Sequence, residues 1–593
     1  MSDFIFSSNT FPQGKLTKFL AAIYLNKHVG SSEFHGAWGS LSVTPSRYNG
    51  FQPLENERYI CVVIGGPVLY FQDNTFLGKS DAHAGTRAIL DHWTSGNADW
   101  SEDLSGPFVI LVIDKQESRV ECITDLMMFI PVYQFIDVGS LFLGTHIDAL
   151  AQACEKQDAY DEASLVDFVL HHAVTYPYTA YSDIRQCQPA SVQSWISSQG
   201  VGGGNLSEPI PYWQPNEHNP YSTLKEAAEA LREGVKGYID RVTEPLEYIA
   251  QFISAGEDSR ALAGMLPEQI NRDAFIFLDS MNREGKVAKK VAAAYGANFK
   301  PDYRSELYYL KIMPEASTLV GAGHQYTHAH TLGFDKKNNL AHFRAVFGGY
   351  ISDSLLKAKY ARKSKWTKRF SFIPQFYIKG ETRTQPISHF LFDDKLLEVI
   401  TERRRQHYFR VHKMRPKSAH EWFELWPATM RIAIPNLYSN RRLFASYEVF
   451  MAKESVKVAS SVPVSWKLNR RLFNAAFKSA LEKSRHIFHA DGRLPYYPWW
   501  VNSPIQFVIR LYRKFFKKTG RNTKNEGPWG DWHKIVSSSS WSTEVDRYSK
   551  LIEPKEIAKV LRQHVLSEKY EGLSVVQKVN LMQVCYNCTK FRS

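Results

Sequence analysis

The segment that most constrains the fold is Ile253-Ser-Ala-Gly-Glu-Asp-Ser-Arg260. An apolar run over residues 246–253 leads into it and reads as a buried strand, and residues 259–266 start a helix. Small residues between strand and helix let backbone N–H groups turn toward an anion, and the helix N-terminus adds partial positive charge. Ser254, Gly256, Asp258 and Ser259 are therefore candidate phosphate-binding residues. Asp258 also offers an oxygen to Mg²⁺, which binds oxygen ligands and bridges phosphates. A plain structural turn, capped by Asp or Ser, is the competing reading. Around the loop, elements alternate. Residues 224–240 carry apolar positions at three- and four-residue spacing, 274–278 read as a strand, and 286–295 read as a helix ending at Gly296. Alternation of this kind predicts an α/β, doubly wound parallel sheet.

The first 210 residues have another texture. Short β-branched and aromatic runs at 59–64, 108–113 and 140–144 are bounded by Gly, Pro, Asp and Ser, with few helices between. They predict a layered, mostly antiparallel α+β domain. A Gly-rich stretch at 198–205 marks a boundary, giving domains over 1–210 and 211–593. Beyond about residue 355 the pattern is mostly helical and basic in places.

With 44% hydrophobic and 22% charged residues the chain is neither disordered nor fibrous. Its net charge of +13 suits an anionic partner. Nucleic acid is not expected, because no binding motif accompanies the charge. Six cysteines, with a lone Cys585-x-x-Cys588, read as reduced thiols of a cytoplasmic protein. The opening MSDFIFSSNTFPQGK has no apolar signal core, and no apolar run approaches a membrane span.

The phosphate-loop segment resembles the SGGxDS loop of the ATP pyrophosphatase domain in asparagine synthetases and β-lactam synthetases. Further stretches fall in the order that family requires. Residues 104–114 resemble its G-x-F-A strand, 124–133 its R-D…P-L-Y-Y, 141–150 its F-A-S-E-x-K-A-L, and 181–190 with Tyr212-Trp213 its L-x-P-G and closing Y-W. Phe347-Gly-Gly-Tyr-Ile-Ser-Asp353 resembles the G-x-G-x-D loop, and residues 448–477 resemble, more loosely, the E-x-R-x-P-F-L-D…K-x-L-L-R region.

The resemblance implies an N-terminal-nucleophile, class II glutaminase-like domain followed by an ATP pyrophosphatase domain. It implies ATP and Mg²⁺ as cofactors, with Asp258 and Asp353 as metal ligands. Two departures sit at the glutaminase site. Ser2 stands where the family has its nucleophilic cysteine, and Ile64-Gly-Gly-Pro-Val68 replaces its N-G-E stretch. Loss of glutamine hydrolysis is the expectation, as in β-lactam synthetases. Tyr350 stands where those enzymes carry a tyrosine that, paired with a glutamate, deprotonates an amine; Glu381 is the partner by spacing. Arg470 takes the place of a family lysine that stabilises the acyl-adenylate, with Lys467 one turn earlier.

The implied activity is an ATP-dependent ligase that joins a small-molecule, sugar or peptide carboxylate to an amine or ammonia. Three alternatives stand beside it: an asparagine synthase using ammonia or glutamine, a silent scaffold, and a membrane-associated amidating enzyme of surface-glycan assembly. The basic, amphipathic residues 505–518 leave peripheral contact with an anionic membrane open beside a cytoplasmic location, and a homodimer is left open too.

Overall fold

The computed structural model describes residues 3–590, apart from 25–28, 138, 197–203, 365, 368–369, 371, 379–385, 388, 390–391, 432, 519–528 and 552–571. Two antiparallel sheets build the N-terminal part. The first has six strands and contains Phe4–Ser7 between Gly39–Val43 and Ser140–Gly144. The second has seven, with Tyr59–Gly65, Phe108–Asp114, Arg119–Thr124 and Ser191–Ile196 running side by side.

Side chains alternate across a strand, so a strand covered on both faces must be apolar at every position. Residues 60–64 and 108–113 satisfy this. Ile60, Val62, Val109 and Leu111 point into the layer between the sheets, where they meet Phe4, Phe6 and Leu41. Cys61, Val63, Ile110 and Val112 point the other way, toward Ile89 and Leu90 of the helix Ala84–Thr94. On the far side, Ile5 shares a core with the helices Lys15–Ala21, Ile147–Ala153 and Glu162–His171. The result is the layered α+β arrangement expected, in the order helix, sheet, sheet, helix.

The later sheet has five strands, all parallel, in the order Asn298–Tyr303, Asn271–Leu278, Tyr248–Phe252, Val346–Gly348, Ser446–Glu448. The chain starts in the middle, winds outward to one side, then returns and winds outward to the other. The reversal falls between Tyr248–Phe252 and Val346–Gly348. At such a point the loops at the carboxyl ends of two adjacent strands diverge and leave a crevice, where ligands bind in open α/β sheets. Asn298–Tyr303 is not legible in the sequence. It carries Lys300, Pro301 and Asp302, and Pro is tolerated there because the strand lies at the sheet edge.

Three features tie the parts together. The helix Leu224–Thr243, capped by the Thr223 side chain, buries Leu231, Val235, Tyr238 and Val242 in the same core as Ile110 and Ile89. Asp3, fully buried beside the first strand, pairs with Arg441 (2.9 Å) and Arg442 (2.8 Å) from the helix Pro435–Leu443. The Tyr48 hydroxyl donates to the Ser446 carbonyl (3.0 Å), on the edge strand of the parallel sheet.

The basic amphipathic segment lies in the helix Trp499–Lys518, which leaves Trp500, Val508, Leu511 and Tyr512 exposed. Among the described residues no helix is long and apolar enough to cross a membrane. Cys585 is buried on the helix Val575–Thr589, and burial pushes its thiol up.

Candidate active site

The loop after Tyr248–Phe252 runs into the helix Glu257–Met265, whose N-cap is Gly256 with no side-chain cap. Ser254 and Ser259 close the loop on itself, their hydroxyls 2.9 Å apart. Ser259 Oγ accepts the N–H of Ser254 (3.1 Å), Ser254 Oγ accepts that of Gly256 (3.0 Å), and Glu284 accepts that of Ala255 (2.7 Å). These loop amides are thus used internally. The amides that face outward by helix geometry are those of the first turn, Glu257 to Ser259, which lack an intrahelical acceptor.

Asp258 lies in the first turn of the helix Glu257–Met265 and Asp353 in the short helix Ser352–Leu355, one at each side of the reversal point. Their carboxylates and that of Glu257 lie within 4.8 Å of one another, the one such acidic or metal-ligating group among the described residues. Lys357 sits among all three. Its ammonium is 2.8 Å from Glu257 and 2.9 Å from Asp353, and also donates to Asp258. Arg470 Nε donates to Glu257 (2.6 Å), and Arg493 lies 3.4 Å from the same carboxylate.

The electrostatics follow from this crowding. Burial alone would raise the Glu257 carboxyl, but Arg470, Lys357 and Arg493 outweigh it and hold it well below the usual range. Asp258 goes the other way, raised by burial and by its neighbours Asp353 and Glu257 against the pull of Lys357. Burial opposes the charge on Lys357, and the three carboxylates more than restore it.

Gly348 ends the strand Val346–Gly348 and lies opposite Glu448 in the parallel register. A Cβ on Gly348 would meet the Glu448 carboxylate at 2.2 Å, so any larger residue there would push that carboxylate aside. The Glu448 carboxylate accepts the backbone N–H of Tyr350 (3.0 Å) and the hydroxyl of Ser446 (3.3 Å). Burial pushes its carboxyl up to about 7. A carboxyl raised in the folded state binds its proton there but not in the unfolded chain, between about pH 4.5 and 7. Its contribution to stability is therefore present at low pH and declines as pH rises through that window. Glu448→Gln should flatten the slope, measured as melting temperature against pH from 4.5 to 7.5; an unchanged slope would show that another group carries it.

The other expected residues are distributed as follows. Arg470 is in the cluster. Lys467 is not: it is fully buried, with Nζ 2.7 Å from Glu421, and this closed pair keeps it from the phosphate loop. Tyr350 is half-buried and its hydroxyl donates to the Ala433 carbonyl, not to a glutamate side chain. Burial raises its phenol above the ordinary value. Glu381 lies outside the described residues. The carboxylate beside Tyr350 is Glu448, the first residue of the stretch resembling E-x-R-x-P-F-L-D. In the sequence Lys357 opens a basic stretch, residues 357–369, that contains no acid. Its i,i+4 spacing from Asp353 was the available signal. Arg493 had none.

A model of the glutamine amidotransferase domain family matches residues 31–205. No curated protein matches the chain. Among solved structures, an allosteric regulatory enzyme of purine biosynthesis is similar at 9% identity and a TM-score of 0.22, covering 50% of this chain and 80% of that one. The glutamine phosphoribosylpyrophosphate amidotransferase from B. subtilis, complexed with ADP and GMP, is similar at 10% identity and a TM-score of 0.21, covering 50% of this chain and 65% of that one.

Proposed function

We propose that the protein is an ATP-dependent, amide-forming ligase that adenylates a carboxylate and passes the acyl group to an amine or ammonia, without hydrolysing glutamine. The observation that carries this reading is the meeting of Glu257, Asp258 and Asp353 from two helices at the reversal point of a parallel sheet. Three hard oxygen donors so close together fit Mg²⁺. Asp258 and Asp353 would hold it, and it would neutralise charge on the phosphates.

The chain's own residues supply the rest. First-turn amides of the helix Glu257–Met265 face the phosphates. A substrate carboxylate oxygen attacks the α-phosphorus, and the bond to pyrophosphate breaks. Lys357 and Arg470 bring fixed positive charge to the charge that develops. An amine nitrogen then attacks the acyl carbon, AMP leaves, and the nitrogen loses a proton. An alkylammonium is mostly protonated near neutrality, so a base is needed. We assign that proton to the Tyr350 phenol, and Glu448 holds the loop through the Tyr350 backbone N–H.

ATP-dependent pyrophosphate release, screened over carboxylates with Mg²⁺, tests the reading. Release with none of amino-acid, uronic-acid and peptide carboxylates would favour a silent scaffold. Within an active protein, Tyr350→Phe should leave pyrophosphate exchange intact and slow amide formation by roughly 10²-fold. Equal loss in both steps would make Tyr350 a packing residue.

A further inference from the structure

Arg431 is only 4% exposed, yet its Nε and Nη1 are buried with no hydrogen-bond partner. Other buried arginines of this protein differ. Arg260 donates to the carbonyls of Ala255, Ile487 and Phe488, Arg415 to Pro215, Asn216 and Ser418, and Arg442 to Asp3. A buried cation without an anion costs free energy that a folded chain ordinarily avoids.

The surroundings are specific. The Arg431 guanidinium lies 5.9 Å from the ring centre of Tyr350 and 5.6 Å from that of Tyr360. It is two residues before Ala433, whose carbonyl takes the Tyr350 hydroxyl. Lys359, whose backbone N–H donates to the Asp353 carbonyl (3.3 Å), is a second positive charge nearby. The Lys359 ammonium is disfavoured first by burial and then by Arg431. Burial, Arg431 and Lys359 likewise keep the imidazole of His328 neutral, pushed down to about 3. Positive charge therefore accumulates beside Tyr350, and no carboxylate among the described residues is paired to Arg431.

Resting on the ligase reading above, we propose that Arg431, supported by Lys359, anchors a carboxylate of the acyl substrate beside Tyr350. The planar guanidinium matches a carboxylate through two parallel N–H···O bonds, and the tyrosine rings would hold it in plane. The cations on the phosphate side, Lys357, Arg470 and Arg493, are already paired with Glu257, Asp258 or Asp353. Arg431 makes none of those contacts, which assigns it to the carboxylate and not to ATP.

The test uses the full chain with succinate, glutarate and N-acetylaspartate as carboxylate probes, and Mg²⁺ with pyrophosphate or ATP as phosphate probes. Calorimetry and melting temperature are read for the wild type, Arg431→Gln and Arg431→Met. At least one carboxylate should bind the wild type and bind Arg431→Gln about tenfold or more weakly, as expected for loss of a charge-assisted pair. The phosphate probes should bind both alike. Without ligand, Arg431→Met should melt no lower than the wild type, because it frees the fold of buried Nε and Nη1 groups that have no hydrogen-bond partner, and the methionine keeps apolar contact with the rings of Tyr350 and Tyr360. The proposal falls if carboxylates bind both proteins equally or neither, if the phosphate response disappears with Arg431, or if Arg431→Met melts well below the wild type. Carboxylate binding that depends on Arg431, without any ATP or pyrophosphate binding, would sustain the anchor and sink the ligase reading.

Discussion

Asp258→Ala and Asp353→Ala are each expected to reduce ATP-dependent pyrophosphate release by roughly 10³-fold or more. Each removes one of three carboxylates that converge on a single point. Each also releases Lys357, whose ammonium donates to both. The site would thus lose a proposed Mg²⁺ ligand and the restraint on its own cation in one substitution. Ser259→Ala should cost much less. Its hydroxyl shapes the loop, while the proposed phosphate binding falls to the first-turn amides. Initial rates of pyrophosphate release at saturating ATP separate these cases. A near-normal rate for Asp353→Ala would mean that the second loop does not serve the phosphates.

The largest stability effect should come from a residue far from this chemistry. Asp3→Ala leaves Arg441 and Arg442 buried without their carboxylate, and breaking a buried ion pair typically costs about 3–5 kcal/mol. Burial works against the ionised Asp3, but the two arginines outweigh it and hold its carboxyl far below the usual range. With the folded value depressed, the stabilisation is present above the unfolded carboxyl value of about 4 and is lost as pH falls below it. Thermal melts at pH 7 should show Asp3→Ala unfolding well before the wild type, with the gap closing in acid. A melt indistinguishable from the wild type at pH 7 would remove Asp3 from the account of stability.

What could be read from the sequence was local. The strand, loop and helix around Ser254, Gly256 and Asp258 lie within one short segment, so residue size and apolar patterning reveal them. Asp353 is distant in sequence, and only the order of resembling motifs pointed to it. Long-range partners were less legible. Lys467 and Arg470 are three residues apart, and the intervening turn contains Asn469 and Arg470 at positive φ, so one points to Glu421 and the other to Glu257. Spacing alone cannot choose between them. The partner of Tyr350 was sought about thirty residues on, whereas parallel strand pairing brings Glu448 beside it from 98 residues away. Lys357 opens a basic stretch in the sequence, and only the fold turns it inward toward the acidic cluster.

The contact between Tyr48 and the edge strand Ser446–Glu448, together with the Asp3 clasp, bears on how such a chain can descend. A gene that shed the codons for the first 210 residues would uncover that strand, and an open strand edge invites pairing between chains. It would also strip support from the strand that presents Glu448. The antiparallel half therefore supports the parallel sheet whatever its own chemistry. Recombination that swaps one half must bring matching residues for Asp3, Arg441 and Arg442, so the two halves drift as a pair.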